Sequence, residues 1–174
     1  MIEKGKGGAN TLSGLRFEKG RDVISRVENL PGYSVKDNII YFQGKEVAKS
    51  YKKHALYVYL RSEGINYKQY ISKRLLPDEA IHVISSNTLF VIEMKFQNSP
   101  GSVDEKLQTC DFKRKQYKKL MAALNIGVEY IYVLNDWFKD PGYKDVLDYV
   151  ISVGCQFCFQ DLPFEKLGLP MPKG

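Results

Sequence analysis

Hydrophobic positions change period several times along the chain, and each change marks an element. From Thr11 to Asn29 apolar residues stand at 12, 15, 23, 24 and 27, with 30 just beyond. That spacing is close to the 3.6-residue repeat of a helix; Gly20 is its weak point and Pro31-Gly32 its stop, so a first helix is expected over 11–29. Asn38-Ile-Ile-Tyr-Phe42 and Lys45-Glu-Val-Ala-Lys49 flank Gln43-Gly44, a two-residue loop of the kind that closes a hairpin. His54 to Glu63 returns to helical spacing and Gly64 ends it.

Ala80-Ile-His-Val-Ile84 and Leu89 to Phe96 are rich in β-branched and aromatic residues, and Ser85-Ser-Asn-Thr88 between them reads as a turn. This second hairpin is expected at the centre of the molecule. After an Asn-Ser-Pro-Gly loop, Val103 to Leu124 carries apolar side chains at 103, 107, 110, 117, 121 and 124, one stripe of a single long helix with Asp104 and Glu105 in its first turn. Val128 to Leu134 reads as a strand, Tyr143 to Val153 as a helix and Cys155 to Phe159 as a short strand, with an irregular tail from Leu162. The order predicts an α/β fold whose mixed sheet is flanked by helices. A length of 174 residues with 44% hydrophobic content suits one domain over 1–174.

Composition narrows the function classes. No run approaches the ~18 apolar residues of a membrane helix, and the start Met1-Ile-Glu-Lys-Gly-Lys lacks the apolar core of a signal peptide. A soluble cytoplasmic protein with no membrane association is expected. Cys110, Cys155 and Cys158 are an odd set that offers no disulfide framework; Cys155-Gln-Phe-Cys158 has metal-ligand spacing without a second pair to complete a site, so reduced core cysteines are expected. The net charge of +6 favours polyanionic partners.

Candidate chemistry sits on the second hairpin. Strand side chains alternate, so Glu93 and Lys95 share a face with Val91, while Ile92, Met94 and Phe96 point the other way. Folding the hairpin about a two-residue loop at Ser86-Asn87 places Lys95 opposite Asp78 and Glu93 opposite Ala80, so Asp78, Glu93 and Lys95 converge. An odd-membered loop would separate them. Two carboxylates beside an ammonium suit a hard divalent cation that polarises a phosphoryl oxygen and acidifies a water, with the lysine positioning that water or offsetting charge on the phosphate. An acid and a base two apart also occur on solvated strand faces. The Pro77 before Asp78 and the apolar run around Glu93 argue against that here.

Pro77-Asp78, followed after fourteen residues by Glu93-Met94-Lys95, resembles the PD-(D/E)XK nuclease superfamily, and the αβββαβ order over most of 11–135 is similar to its restriction-endonuclease-like core. The resemblance implies that Asp78, Glu93 and the Met94 carbonyl ligate Mg²⁺, with Mn²⁺ as a substitute, and that Lys95 acts on the nucleophilic water. Glu18 on the first helix matches an acid that many members carry near the metal; Gln97, two beyond Lys95, is placed to touch phosphate or a coordinated water. The activity implied is a Mg²⁺-dependent endodeoxyribonuclease, most like a small type II restriction endonuclease acting on double-stranded DNA as a homodimer. A junction-resolving or repair nuclease, and a non-catalytic DNA-binding subunit, are the alternatives.

Lys106, Lys113 and Gln116 fall on one flank of the long helix and are expected to meet phosphates, while Ser102 caps that helix or leaves its amides for an anion. Residues 50–75 interleave Tyr51, Tyr57, Tyr59, Tyr67 and Tyr70 with lysines and arginines, a basic aromatic insertion expected to govern substrate choice by stacking and backbone contacts. His54 and His82 read as structural.

Overall fold

The computed structural model describes residues 16, 17, 19, 21–99 and 103–172. It is an α/β protein: seven strands form one mixed sheet in the order β1 to β7, flanked by helices. Strands β1 (Tyr33–Lys36), β2 (Ile39–Phe42), β3 (Lys45–Tyr51), β4 (Glu79–Val83) and β5 (Thr88–Lys95) form an antiparallel meander. β6 (Gly127–Leu134) and β7 (Gln156–Phe159) then add in parallel, each reached over a helical connection. The helices are α1 (Val23–Val27), α2 (Ala55–Ser62), α3 (Val103–Leu107), α4 (Cys110–Ala122) and α5 (Lys144–Ser152). No helix among the described residues is long and apolar enough to cross a membrane.

The first hairpin closes as its sequence demands. Gln43 (φ 50°) and Gly44 (φ 77°) both enter the left-handed region of a type I′ turn, whose twist matches that of the flanking strands. A further strand, β1, precedes it and is joined by a second two-residue turn at Asp37-Asn38. The sequence reading had no strand there, because Tyr33-Ser-Val-Lys is short and follows directly on the Pro31-Gly32 stop.

The sheet is covered on both faces. On one, Leu56, Tyr57 and Leu60 of α2, Leu107 of α3 and Cys110, Tyr117, Leu120 and Met121 of α4 pack over Leu89, Val91, Tyr130 and Tyr132. On the other, Val23 and Val27 of α1 and the tail residues Leu162, Phe164, Leu167 and Leu169 cover Ile81, Val83, Phe90, Ile92, Met94, Ile131 and Val133. β5 is therefore buried along both faces except at its ends, which explains its nearly continuous apolar run.

Two expectations need correction. The long helix over 103–124 is two helices, broken by a turn at Gln108-Thr109, where the Thr109 and Tyr132 hydroxyls bond the carbonyls that end the first of them. The first helix, expected over 11–29, is represented by α1 over Val23–Val27 and by helical Arg16 and Phe17; residues 11–15, 18 and 20 lie outside the described residues. In the basic aromatic insertion the lysines and arginines are exposed, while several of the tyrosines pack inward. Tyr51 and Tyr57 are buried, Tyr51 stacks on Tyr59 at 4.6 Å, and Tyr57 meets Tyr67 edge-on beneath Arg74, so these rings already have partners.

Candidate active site on the central hairpin

The site is built by the register of β4 on β5. The ladder runs from Val83↔Thr88 to Glu79↔Ile92, so the loop is the four residues Ile84–Asn87. The two-residue loop expected at Ser86-Asn87 is not formed. Ile84 donates its N–H to the Val47 carbonyl of β3 at 3.0 Å, and Asn87, in the left-handed region, donates back to the Ile84 carbonyl at 3.2 Å. Ala80 consequently lies opposite Val91 instead of Glu93, and Asp78, the next residue beyond the ladder, comes level with Glu93 instead of Lys95. Both loops are even-membered, so the shift of two positions leaves every side chain on its expected face. The convergence survives, and the two carboxylates are brought closer than expected.

Asp78 is fixed by a backbone contact. Its Oδ2 accepts the Met94 N–H at 2.9 Å, a bond that continues the hairpin beyond the last strand pair. Within a strand the N–H and C=O of one residue point to the same side, so the Met94 carbonyl is also turned toward Asp78, past the end of β4. The segment leading to Asp78 is clamped by Tyr57, whose hydroxyl donates to the Leu75 carbonyl at 2.9 Å and accepts the Leu75 N–H at 2.8 Å, and by the Tyr117 hydroxyl, which donates to the same carbonyl at 3.1 Å. Two tyrosines of the aromatic segment and α4 thus hold the approach to the site.

Glu93 is 6% exposed, yet it is surrounded by charge. Lys95 Nζ donates to Oε2 at 2.7 Å, and Lys113 Nζ of α4 reaches Oε1 at 2.9 Å and Oε2 at 3.0 Å. Tyr130 lies behind them with its hydroxyl buried and without a hydrogen-bond partner among the described residues. Burial and the Glu93 charge together push that hydroxyl's pKa far up, so it stays protonated.

The two carboxyls are displaced in opposite directions. Burial raises Asp78 above the ordinary aspartate range, and Glu93 adds to the rise, against the opposing pull of Lys95, the Met94 N–H and Lys53. Burial would raise Glu93 too, but the ammonium groups of Lys95 and Lys113 hold it below the usual glutamate range. Asp78 thus takes up a proton more readily, and Glu93 less readily, than an ordinary carboxyl.

The donor set fits a small hard dication. Two carboxylates and a backbone carbonyl are oxygen ligands, and Mg²⁺ is commonly held by one or two carboxylates with the remaining positions left to water and phosphate. Among the described residues no group of three or more His, Cys, Asp or Glu side chains forms a denser metal site. The cysteines add none: Cys110 and Cys155 are buried on one face of the sheet and Cys158 on the other, so the Cys155–Cys158 spacing joins nothing.

The remaining candidates separate. Gln97 follows the end of β5; its side chain donates to the Ser99 carbonyl at 2.5 Å, and its backbone is locked to the Asn135 amide at 3.1 and 2.8 Å. It serves the strand end. Lys113 meets the site through Glu93 itself. Gln116 is half-buried one turn further along α4, and Lys106 is exposed on α3, beyond the break. Glu18 and Ser102 lie outside the described residues. His82 pairs with Asn87 Oδ1 at 3.0 Å and belongs to the hairpin turn.

Glu79, which the sequence reading passed over, is the most buried acid, 1% exposed on the opposite face from Asp78. Its Oε2 accepts the Val23 N–H at 2.8 Å and its Oε1 the Ser50 hydroxyl at 3.0 Å, so it ties α1 and β3 to the strand beside the site. The signal was present: strand alternation places position 79 with Ile81 and Val83 on an apolar face. No family model matches the chain, and neither the curated proteins nor the solved structures yield a match.

Proposed function

We propose that the protein is a Mg²⁺-dependent endonuclease of the PD-(D/E)XK kind that hydrolyses phosphodiester bonds in double-stranded DNA, in the manner of a small restriction endonuclease. The observation that carries this reading is the juxtaposition at the open end of the β4–β5 hairpin. Asp78 is bonded to the Met94 N–H beside Glu93, and Lys95 is on the Glu93 carboxylate at 2.7 Å. The sequence of α1, β3, β4, β5, α4 and β6 also follows the αβββαβ order of that superfamily, with β1 and β2 as an added hairpin and α2 inserted before Asp78.

Asp78, Glu93 and the Met94 carbonyl would hold the ion. A divalent cation there supplies Lewis-acid polarisation of a phosphoryl oxygen and a lowered pKa for coordinated water. Lys95, bonded to Glu93, would orient the attacking water and offset charge building on the phosphate. Lys113, bonded to the same carboxylate, would be released from Glu93 by a dication held there and so be available to a phosphate of the substrate. Because a duplex has two strands and each subunit carries one site, the acting species is a homodimer, which sedimentation of the protein with and without duplex tests.

The decisive experiment incubates wild type, Glu93→Gln and Asp78→Asn with Mg²⁺ and either long linear duplex or a four-way junction. Discrete duplex fragments that disappear in both variants support the reading. Cleavage of the junction alone moves the substrate to branched DNA. Cutting by Glu93→Gln at the wild-type rate removes the site assignment, and retention of DNA without cutting over a range of metals removes catalysis.

A further inference from the structure

Beside Asp78 the surface opens into a cleft lined by Asp22, Lys52, Lys53, His54, Asp78 and Glu79, with Met94 at its base. Three consecutive basic residues between β3 and α2 form one wall, and they differ in what already holds them. Lys52 is paired with Asp22 at 2.9 Å. Lys53 and His54 are exposed, and neither side chain has a hydrogen bond or ion pair with another described residue. By contrast, the lysines on the other side of the site, Lys95 and Lys113, are both bonded to Glu93.

The backbone holds this wall in place. Lys53 takes a left-handed conformation, φ 48°, unfavourable for a residue with a Cβ, and its N–H donates to the Pro77 carbonyl at 3.0 Å. That bond fastens the loop to the residue immediately before Asp78. His54 stands at the N-cap of α2 without a side-chain cap bond, so its ring is not used by the helix it begins. The Lys53 charge is felt at the Asp78 carboxyl. A loop strained into position, carrying an uncommitted ammonium and an uncommitted imidazole beside a carboxylate cluster, is arranged to receive an anion that approaches Asp78.

We propose that this cleft is a phosphodiester-binding subsite, in which Lys53 and His54 hold a backbone phosphate of the strand to be cut next to Asp78. The proposal rests on the nuclease reading and adds to it the path of the substrate: across the β3–α2 loop, on the far side of Asp78 from Lys113. Lys53 supplies charge and His54 a ring N–H; both serve position and affinity and carry no base preference.

The test measures binding of a labelled duplex oligonucleotide by anisotropy, over a series of salt concentrations and without added divalent cation. Wild type is compared with Lys53→Ala, His54→Ala, Lys53→Arg and Lys45→Ala, the last at the opposite end of β3 as a control for net charge. Lys53→Ala is expected to weaken binding about tenfold and to lower the salt slope by about one, with Lys53→Arg restoring most of the loss. His54→Ala is expected to weaken binding with little change of slope, and Lys45→Ala to stay close to wild type. The subsite is overturned if Lys53→Ala and His54→Ala bind as Lys45→Ala does while wild type still cuts duplex in Mg²⁺; the nuclease reading then stands. A wild-type protein that neither binds nor cuts the duplex removes that reading and the subsite together.

Discussion

Glu93 shows how one buried carboxylate is kept charged. Both oxygens accept ammonium hydrogens, Lys113 bridging the two and Lys95 adding to one, which offsets the cost of removing the charge from water. Its folded pKa lies below its unfolded one, so this contribution to stability is complete above the ordinary carboxylate range and is lost as pH falls through the folded pKa. Lys113→Met leaves Glu93 with Lys95. We expect a loss of about 1–3 kcal/mol near neutral pH and an acid limb of the urea-midpoint-versus-pH curve displaced to higher pH. On the proposed metal role of Glu93, the same variant should bind Mg²⁺ more tightly by calorimetry, since Lys113 and the dication would compete for one carboxylate. Unchanged or weaker Mg²⁺ binding would show that Lys113 does not occupy part of the metal seat.

At the scale of elements, Glu79 joins α1 and β3 to β4 through two accepted hydrogen bonds inside an apolar face. Burial raises its pKa; the opposing Val23 N–H, Lys52 and the Ser50 hydroxyl do not cancel that rise. A carboxyl whose folded pKa exceeds its unfolded value takes up its proton more readily when folded. Wild-type protein should therefore gain stability from this group as pH falls from neutral toward the unfolded carboxylate range. Glu79→Gln cannot make that gain, and its amide offers one acceptor where two donors converge. The variant should be less stable by about 1–3 kcal/mol, with a deficit that widens on acidification when both proteins are melted across that interval. A constant deficit would mean that Glu79 is ionised in the fold throughout.

The element scale is also where periodicity misled. Leu107 and Cys110 satisfy one helical stripe on paper, but the chain turns between them, and the Tyr132 hydroxyl bonds the freed carbonyls of Lys106 and Leu107 at 3.3 Å each. A remote donor from β6 and a local one, the Thr109 hydroxyl at 2.7 Å from the Lys106 carbonyl, meet at that helix end, and only the second belongs to the local sequence. The tyrosines of residues 50–75 likewise resembled a stacking surface in composition. Of these, Tyr57 braces Leu75 and the approach to Asp78 through its hydroxyl, while Tyr51 pairs with Tyr59 and Tyr57 with Tyr67 ring to ring.

For the whole molecule, the two faces of the sheet are closed by different means. Helices cover the face that carries Glu93, whereas the opposite face depends on the five-residue α1 and on a tail with no strand and only one short 3₁₀ turn, Phe164–Leu167. Leu167 is fully buried there. Leu167→Ala should cost about 2–5 kcal/mol in urea unfolding, although nothing in the local sequence marks the tail as core. A loss below ~0.5 kcal/mol would show that the tail is not part of the cooperative unit.

By itself the sequence determined the strand pair at the centre and the shared face of Glu93 and Lys95, and it made the place of Asp78 depend on an even-membered hairpin loop. These follow from the two-residue period of a strand and from turn chemistry, both of which are local. Only the tertiary structure decided the register: the loop has four residues instead of two, with Ile84 held by Val47 of a neighbouring strand. It also decided that Lys113 reaches Glu93, that Lys53 and His54 stand uncommitted beside Asp78, and that the tail seals the second face. Each of these depends on contacts between segments far apart in the chain, which hydrophobic period and residue type do not encode.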